Sequence, residues 1–333
     1  MKNTVKKILC LVLALSVVAC FAACTGTTNE TTTAADATAD AAYTVGICQL
    51  VQHPALDAAT EGFQAALKEK LGDKVTFSVQ NASGENTNCT TICGQFVADK
   101  VDLIMANATG ALAAAAAATE EIPVVGTSIT DYASALGITD WTGTTGFNVT
   151  GASDLAPLDQ QAAMIKELCP DAKTVGILYC STEANSKYQA DVITAELDKL
   201  GLEAKIFTFV DSNDIISVAT TAAEESDVLF APTDNQVASN VEAINNVIEP
   251  MGVALVAGES GICQGCGIAT LSISYYDMGY AAGMMAYEIL VNDADPATME
   301  IQYASDLTKQ YMADRCKALG ITVPEDYVAI EAE

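Results

Sequence analysis

Short apolar runs alternate with amphipathic stretches along most of the chain, beginning near Tyr43. Residues 44–49 form a continuous apolar run typical of a buried strand, and residues 54–70 carry apolar side chains at helical spacing. The alternation continues with predicted strands at 75–79, 101–106 and 122–126 and predicted helices at 88–99 and 110–119. Strands that alternate with helices of this length predict a parallel sheet with helices on both faces.

The same pattern begins again after about residue 150. Helices are predicted at 158–168, 185–200, 215–224, 236–248 and 276–291, and strands at 174–179, 204–209, 227–231, 254–257, 269–274 and 299–304. The chain therefore predicts an α/β protein with two doubly wound, Rossmann-like lobes. More than one crossing between the lobes fits this order, and a multi-strand hinge of that kind lets two lobes close over a ligand.

The N-terminal segment has a different pattern. Three lysines precede an apolar run over residues 8–19, which is typical of an export signal and too short for an ordinary membrane span. Small residues and a cysteine follow at Cys20 and again at Cys24, and both match a bacterial lipidation signal. We favour Cys24, which predicts a signal peptide over 1–23, although Cys20 and secretion without a lipid stay open. Residues 24–42 are polar, without apolar periodicity, and predict a disordered tether.

The charge balance excludes some partners. The net charge of −28 argues against nucleic acid, whose binders need basic patches. It also argues against adhesion to an anionic membrane surface, so a lipid would provide the membrane contact. We expect an extracytoplasmic protein anchored to the cell membrane by its lipid.

Eight cysteines remain beyond the signal region, and two of them, Cys263 and Cys266, stand three positions apart. This pair predicts a disulfide, two free thiols, a redox pair or half of a metal site. A metal site would want a second ligand pair, and the single histidine is His53. We therefore expect neither a metal nor a cofactor, and a thiol-redox function of Cys263 and Cys266 is kept as an alternative. The chain has no nucleophile elbow and no phosphate loop, so we do not expect an enzyme.

Seven segments together carry a resemblance to a known family. They cover residues 46–57, 105–109, 126–132, 154–161, 232–235, 258–261 and 271–279. The chain resembles type I periplasmic solute-binding proteins, and among them the tryptophan- or tyrosine-binding lipoproteins of ABC importers. The likeness spans nearly all of 43–333. It implies an N-terminal lobe of 43–151 plus 274–295 and a C-terminal lobe of 152–273 plus 296–333.

Ligands of open α/β sheets bind beyond the carboxyl ends of the strands, so the polar residues that follow the strands are the candidates. They are Gln49, His53, Asn107, Thr109, Thr127, Ser128 and Tyr132 in the first lobe, Tyr179, Asp234, Asn235 and Glu259 in the second, and Ser274 at a crossing. Each also has a structural interpretation, since such residues commonly cap helices or pack in the core.

The chemistry of an amino acid assigns roles to these candidates. Its carboxylate suits hydroxyls and helix N-termini, which Thr109, Thr127 and Ser128 could provide. Its ammonium needs an acidic partner, because an unpaired buried charge is very costly. The resemblance favours Asp234 for this role, with Glu259 and Asp154 in reserve. Tyr132 and Tyr179 could contact an aromatic side chain.

The sequence thus predicts a monomer that binds a small solute, an aromatic or other hydrophobic L-amino acid, in a cleft between two lobes. It would deliver the solute to an ABC permease and its ATPase. The alternative is a sensory module that passes a signal to a membrane receptor, because the lobes alone would look the same.

Overall fold

The computed structural model of the protein describes residues 43–304 and 307–330. The predicted signal peptide over 1–23, the candidate lipidation site Cys24 and the predicted tether over 24–42 lie outside the described residues. Among the helices that are described, none combines the length and apolar character needed to span a membrane.

The elements are numbered along the chain. The strands are β1 (Tyr43–Gln49), β2 (Val75–Asn81), β3 (Leu103–Asn107), β4 (Val124–Ile129), β5 (Val149–Ser153), β6 (Thr174–Cys180), β7 (Glu203–Phe209), β8 (Val228–Ala231), β9 (Ala254–Ala257), β10 (Ala269–Ser272), β11 (Gln302–Tyr303), β12 (Thr308–Tyr311) and β13 (Val328–Ala329). The helices are α1 (Pro54–Leu71), α2 (Asn86–Asp99), α3 (Thr109–Ala118), α4 (Tyr132–Leu136), α5 (Leu158–Leu168), α6 (Ala184–Lys199), α7 (Ile215–Glu225), α8 (Asn235–Ala238), α9 (Val241–Met251), α10 (Ser260–Cys266), α11 (Tyr275–Asn292) and α12 (Ala313–Ala318).

The strands form two sheets. In the described part of the chain the first sheet has the order β11-β5-β4-β3-β1-β2 and the second the order β13-β12-β10-β9-β8-β6-β7. Pairing is parallel throughout except between β10 and β12. The central strands β3 and β4 are buried along their whole length, as expected where helices cover both faces. The predicted α/β class with two doubly wound lobes is confirmed.

Each sheet and its helices form one lobe. The first lobe consists of the first sheet with α1–α4 and α11, and the second lobe of the second sheet with α5–α10 and α12. The chain passes between them at 154–157, at 273–274 and at 304–307, of which 305–306 lie outside the description. The sequence-based divisions after residues 151 and 295 both differ from this arrangement, because β5 of the first sheet extends to Ser153 and β11 pairs with it.

Helices α1 and α11 pack closely in the first lobe. A Cβ added to Gly62 would lie 2.0 Å from the carbonyl oxygen of Tyr276, and one added to Gly279 would lie 2.0 Å from that of Ala59. Only glycine permits this approach of two helix backbones. The contact brings the N-terminal ends of both helices to the boundary between the lobes.

Candidate functional site

A small cavity with about 10 Å³ of open space lies between the two lobes. Its lining comes from the first lobe, from the first crossing and from the second lobe. The lining residues are His53, Leu56, Ser128, Thr130, Asp154, Asn185, Thr233, Asp234, Asn235, Ala238, Glu259 and Tyr275. This space is about that of a single water molecule, so a ligand of amino-acid size needs the lobes or the lining side chains to move apart.

The first crossing contributes a carboxylate to the cavity. Asp154 is buried and is held by two hydroxyl groups. The Thr130 hydroxyl donates to Oδ1 at 3.1 Å, and the Tyr275 hydroxyl donates to Oδ2 at 3.1 Å. Burial raises the pKa of Asp154 to about 6, against the pull of these two hydrogen bonds.

The second lobe contributes two more carboxylates, each at the start of a helix. Asp234 accepts hydrogen bonds from the backbone N–H groups of Val237 and Cys180, both at 2.8 Å, and so caps α8. Glu259 accepts from the N–H groups of Gly261 and Ile262 and caps α10. Burial raises the pKa of both side chains, that of Glu259 to about 7.

A fourth carboxylate, Glu183, stands behind the cavity wall. It accepts hydrogen bonds from the N–H groups of Asn235 and Gln236 and from the side-chain amides of Asn235 and Asn185. Burial and the nearby charge of Asp234 raise its pKa to about 8.

The cavity is therefore strongly acidic. Its lining includes Asp154, Asp234 and Glu259 but contains no lysine or arginine. Each buried carboxylate without a cation is costly, which is the physical reason that their pKa values are raised. A positively charged ligand group would lower that cost.

Two residues of the lining each have a polar side-chain atom that lacks a partner among the described residues. Ser128 Oγ and His53 Nδ1 are both buried and make no hydrogen bond there. Ser128 also has a φ of +59°, at an irregularity in the pairing of β4 with β5. Such a backbone costs energy for a non-glycine residue and is found preferentially at functional sites.

Five of the predicted site residues lie around this cavity. They are His53, Ser128, Asp234, Asn235 and Glu259. His53 and Asn235 meet across the boundary between the lobes, with 3.2 Å between His53 Nε2 and Asn235 Oδ1. These residues come from four strand ends, two in each sheet.

The other seven predicted residues lie outside the lining. The Gln49 amide donates to Asp57, and the Asn107 amide donates to the carbonyl oxygen of Leu56, so both hold the first turn of α1 in place. The Tyr132 hydroxyl donates to the carbonyl oxygen of Ala152.

The remaining four of these seven residues have positions in helices, strands or the core. Thr109 begins α3, and Thr127 is buried on β4. Tyr179 packs in the core of the second lobe, and Ser274 caps α11 by accepting from Asp277 N.

Seven lining residues were not among the predicted site residues, and two of them, Leu56 and Ala238, are apolar. Thr130 directly follows β4, Asp154 lies at the first crossing, and Tyr275 directly follows the second crossing as the first residue of α11. Asn185 stands on α6, and Thr233 directly precedes Asp234. Asp154 had been considered as a reserve partner for an ammonium group, and it lies within one of the resembling segments. Tyr275 also lies within such a segment, whereas no sequence signal pointed to Asn185.

Comparison with known proteins gives this cavity a context. The profile of the family described as ABC transporter substrate binding protein matches residues 44–333. The chain belongs to this family. The match covers both lobes, so the ABC substrate-binding fold accounts for all of the described structure.

Individual relatives agree with the family. The substrate-binding protein is 34% identical over 249 residues to a tyrosine-binding protein of Clostridioides difficile, covering 74% of this chain and 72% of the relative. It is 32% identical to the ABC domain of Streptococcus pneumoniae in complex with L-Trp, with a TM-score of 0.81. This match covers 85% of this chain and 96% of the other. It is also 32% identical to the ligand-free, open structure of a Clostridium difficile substrate-binding protein with adhesive properties, with a TM-score of 0.67. This match covers 87% of this chain and all of the other.

The cysteines of this substrate-binding protein are free thiols throughout the described residues. Cys263 and Cys266 are buried at the two ends of one turn of α10. Burial raises the pKa of Cys266 to about 12 and that of Cys263 well above its ordinary value. A redox-active thiol needs a lowered pKa, so these two thiols have the opposite property.

Proposed function

We propose that this ABC substrate-binding protein binds a free aromatic L-amino acid in the cavity between its lobes. The observation that carries the proposal is the set of three buried carboxylates, Asp154, Asp234 and Glu259, without a lysine or arginine in the lining. The ammonium group of an amino acid supplies the missing positive charge. A neutral sugar would leave these carboxylates uncompensated.

Asp234 is the proposed partner of the ammonium group. Both of its oxygens accept a backbone N–H group and the Ser186 hydroxyl lies nearby, so the ammonium group would approach a carboxylate that the protein already holds in place. Asp154 and Glu259 add to the negative potential. Ser128, whose hydroxyl is buried without a partner, is the proposed contact of the ligand carboxylate.

The choice of an aromatic side chain rests on the relatives and on the lining. Leu56, Ala238 and the ring of Tyr275 give the cavity an apolar part, and aromatic ligands contact such rings by their faces or edges. The relatives named above include a tyrosine-binding protein and a domain in complex with L-Trp, which support this class of ligand.

A thermal-shift screen of the twenty amino acids, with common sugars and nucleosides, tests the proposal. Tyrosine, tryptophan or phenylalanine should raise the melting temperature, because a ligand at 100 times its Kd stabilises by about 2.7 kcal/mol. A shift with sugars or nucleosides alone would contradict the amino-acid assignment.

The role of Asp234 is tested by Asp234→Asn, with Asp198→Asn at an exposed position of α6 as the matched control. Asparagine can keep the cap of α8 through Oδ1 while the charge is lost, but its NH2 group then faces the Cys180 N–H, so the melting temperature without ligand is measured for both variants. We expect the ligand-induced shift to disappear in the first variant and to persist in the second. An unchanged shift in Asp234→Asn would remove this residue from the ammonium site.

We further propose that the protein is exported and held at the outer face of the cell membrane by a lipid on Cys24. From there it would hand its ligand to a permease driven by an ATPase. Mass spectrometry of the N-terminal peptide identifies the modified cysteine; a lipid on Cys20, or no lipid, would contradict the assignment.

A further inference from the structure

One polar contact joins the two lobes beside the cavity. His53 precedes α1 in the first lobe, and Asn235 begins α8 in the second. His53 Nε2 lies 3.2 Å from Asn235 Oδ1, and the two side chains are 7% and 9% exposed. Buried polar atoms are normally hydrogen-bonded, so one of these two atoms must be the donor and the other the acceptor.

Glu183 determines the orientation of the Asn235 amide. Asn235 Nδ2 donates to Glu183 Oε2 at 2.7 Å. The backbone N–H of Asn235 donates to the same oxygen, and that of Gln236 donates to Oε1. Backbone N–H groups can only donate, so the ionised carboxylate accepts at both oxygens and faces the NH2 end of the amide.

The opposite end of the amide then faces the histidine. Asn235 Oδ1 can only accept, so His53 Nε2 must carry a hydrogen. Burial lowers the pKa of His53 and favours the neutral ring, which holds a single N–H. Nδ1 is therefore a bare acceptor, and it is buried without a partner among the described residues.

We infer that Glu183 is a positioning residue that acts through Asn235 to keep the His53 proton on Nε2, so that His53 Nδ1 accepts a hydrogen bond from a donor group of the bound ligand. The inference rests on the proposed function for its ligand. The ammonium group of a free amino acid is a donor of the required kind. Glu183 itself does not line the cavity, so it sets specificity without touching the ligand.

The single histidine of the chain makes the tautomer directly measurable. The full chain, carrying ¹⁵N-labelled histidine and a purification tag without histidine, is studied by two-bond ¹H–¹⁵N NMR with saturating L-tyrosine. The pH is set above the value of about 8 to which burial and Asp234 raise the pKa of Glu183. We expect one ring form protonated at Nε2, with the Nδ1 resonance shifted by L-tyrosine toward that of a hydrogen-bonded acceptor. A ring protonated at Nδ1, or an Nδ1 resonance that L-tyrosine leaves unchanged, would overturn the inference.

Glu183→Gln tests the positioning step, with Glu224→Gln on the exposed face of α7 as the matched control. The amide that replaces the carboxylate has one oxygen and one NH2 group, and the NH2 group points at N–H groups that the carboxylate had accepted. The Asn235 amide then loses the acceptor that fixed its orientation and can rotate. We expect a mixture of both histidine tautomers and a loss of affinity for L-tyrosine of about tenfold, the effect of one hydrogen bond. The control should match the wild type in both measurements.

Reduced affinity with an unchanged tautomer would give Glu183 a purely structural role and overturn the inference. The wild-type spectrum does not depend on how well the variant folds. Failure of the proposed function is recognised separately, as the absence of a thermal shift with any amino acid.

Discussion

Ser128 combines a costly backbone conformation with a buried hydroxyl that makes no hydrogen bond within the described residues. The left-handed conformation costs about 1–2 kcal/mol for a residue with a Cβ. An unpaired buried hydroxyl adds a desolvation cost. The backbone cost and the desolvation cost at Ser128 are both explained if its hydroxyl binds a ligand in the closed protein.

Replacing Ser128 should therefore separate stability from binding. Ser128→Gly removes the backbone cost, and Ser128→Ala removes the unpaired hydroxyl, so both variants should be at least as stable as the wild type without ligand. Both should bind the amino acid about fivefold more weakly, since one hydrogen bond contributes about 1 kcal/mol. Thermal melting and calorimetric titration check the two effects.

Ser217→Ala, at an exposed position of α7, is the control, and we expect it to change neither quantity. If Ser128→Ala bound the amino acid as tightly as the wild type, Ser128 would have no role in the site.

At the residue level the sequence predicted part of the lining. The rule that ligands bind beyond strand ends led to His53, Ser128 and Asp234, because their positions follow from the local pattern of strand and helix. It could not lead to Asn185 or Tyr275. These two reach the cavity only through the approach of α6 and of the second crossing, which depends on packing between distant parts of the chain.

At the level of elements, long periodic segments were predicted well and short ones were missed. The predicted helix at 158–168 matches α5, and the predicted strand at 254–257 matches β9. Helix α4 and strand β13 have five and two residues, too few for a period to show. The predicted helix at 236–248 is two helices, α8 and α9, with Ser239 and Asn240 between them.

The close packing of α1 on α11 couples two elements to the cavity. His53 directly precedes α1, and Tyr275 begins α11. Glycines at the contact set the distance between the helices, because any side chain there would meet backbone atoms of the other helix. The cavity geometry therefore depends on residues that lie well away from its lining.

Gly279→Ala should push the two helices apart. The added methyl would lie 2.0 Å from the Ala59 carbonyl oxygen, and overpacking of this kind costs about 1–3 kcal/mol. We expect lower stability in urea unfolding together with weaker amino-acid binding, as His53 and Tyr275 shift.

Gly94→Ala is the matched control. Gly94 lies within α2 with open space around its Cβ position, so alanine should stabilise by up to about 1 kcal/mol through its helix propensity. A Gly279→Ala variant as stable as the wild type would show that the helices are not held together by this contact.

For the molecule as a whole, the two solved relatives indicate which arrangement of the lobes is described here. At the same 32% identity, the TM-score is 0.81 to the L-Trp complex and 0.67 to the ligand-free, open structure. The contact between His53 and Asn235 belongs to the same arrangement, since it joins the lobes beside the cavity. The ligand would stabilise this closed state through contacts made with both lobes.

Closure places four carboxylates in one acidic region and links it to pH. The pKa values of Asp154, Glu259 and Glu183 rise to about 6, 7 and 8, and that of Asp234 rises as well. These four carboxylates therefore bind more protons in the folded, ligand-free protein than in the unfolded chain between about pH 4 and pH 8. Their contribution to stability is greatest at the acidic end of this window and is lost as pH rises through the folded-state pKa values.

The affinity for the ligand should depend on pH in the opposite direction from stability. An ammonium group is attracted by ionised carboxylates, so at acidic pH its binding must displace protons, whereas at pH 8 the charges are already present. We expect affinity for the aromatic amino acid to increase from about pH 5 to pH 8, by up to about tenfold per pH unit for each proton displaced. Calorimetric titrations at several pH values, each in two buffers with different heats of ionisation, measure the affinity and count the protons released.

Asp154→Asn should reduce that count near pH 6, because its hydroxyl partners can reorient around an amide. Tighter binding at pH 5 than at pH 8, or proton uptake on binding, would mean that these carboxylates do not face the positive end of the ligand.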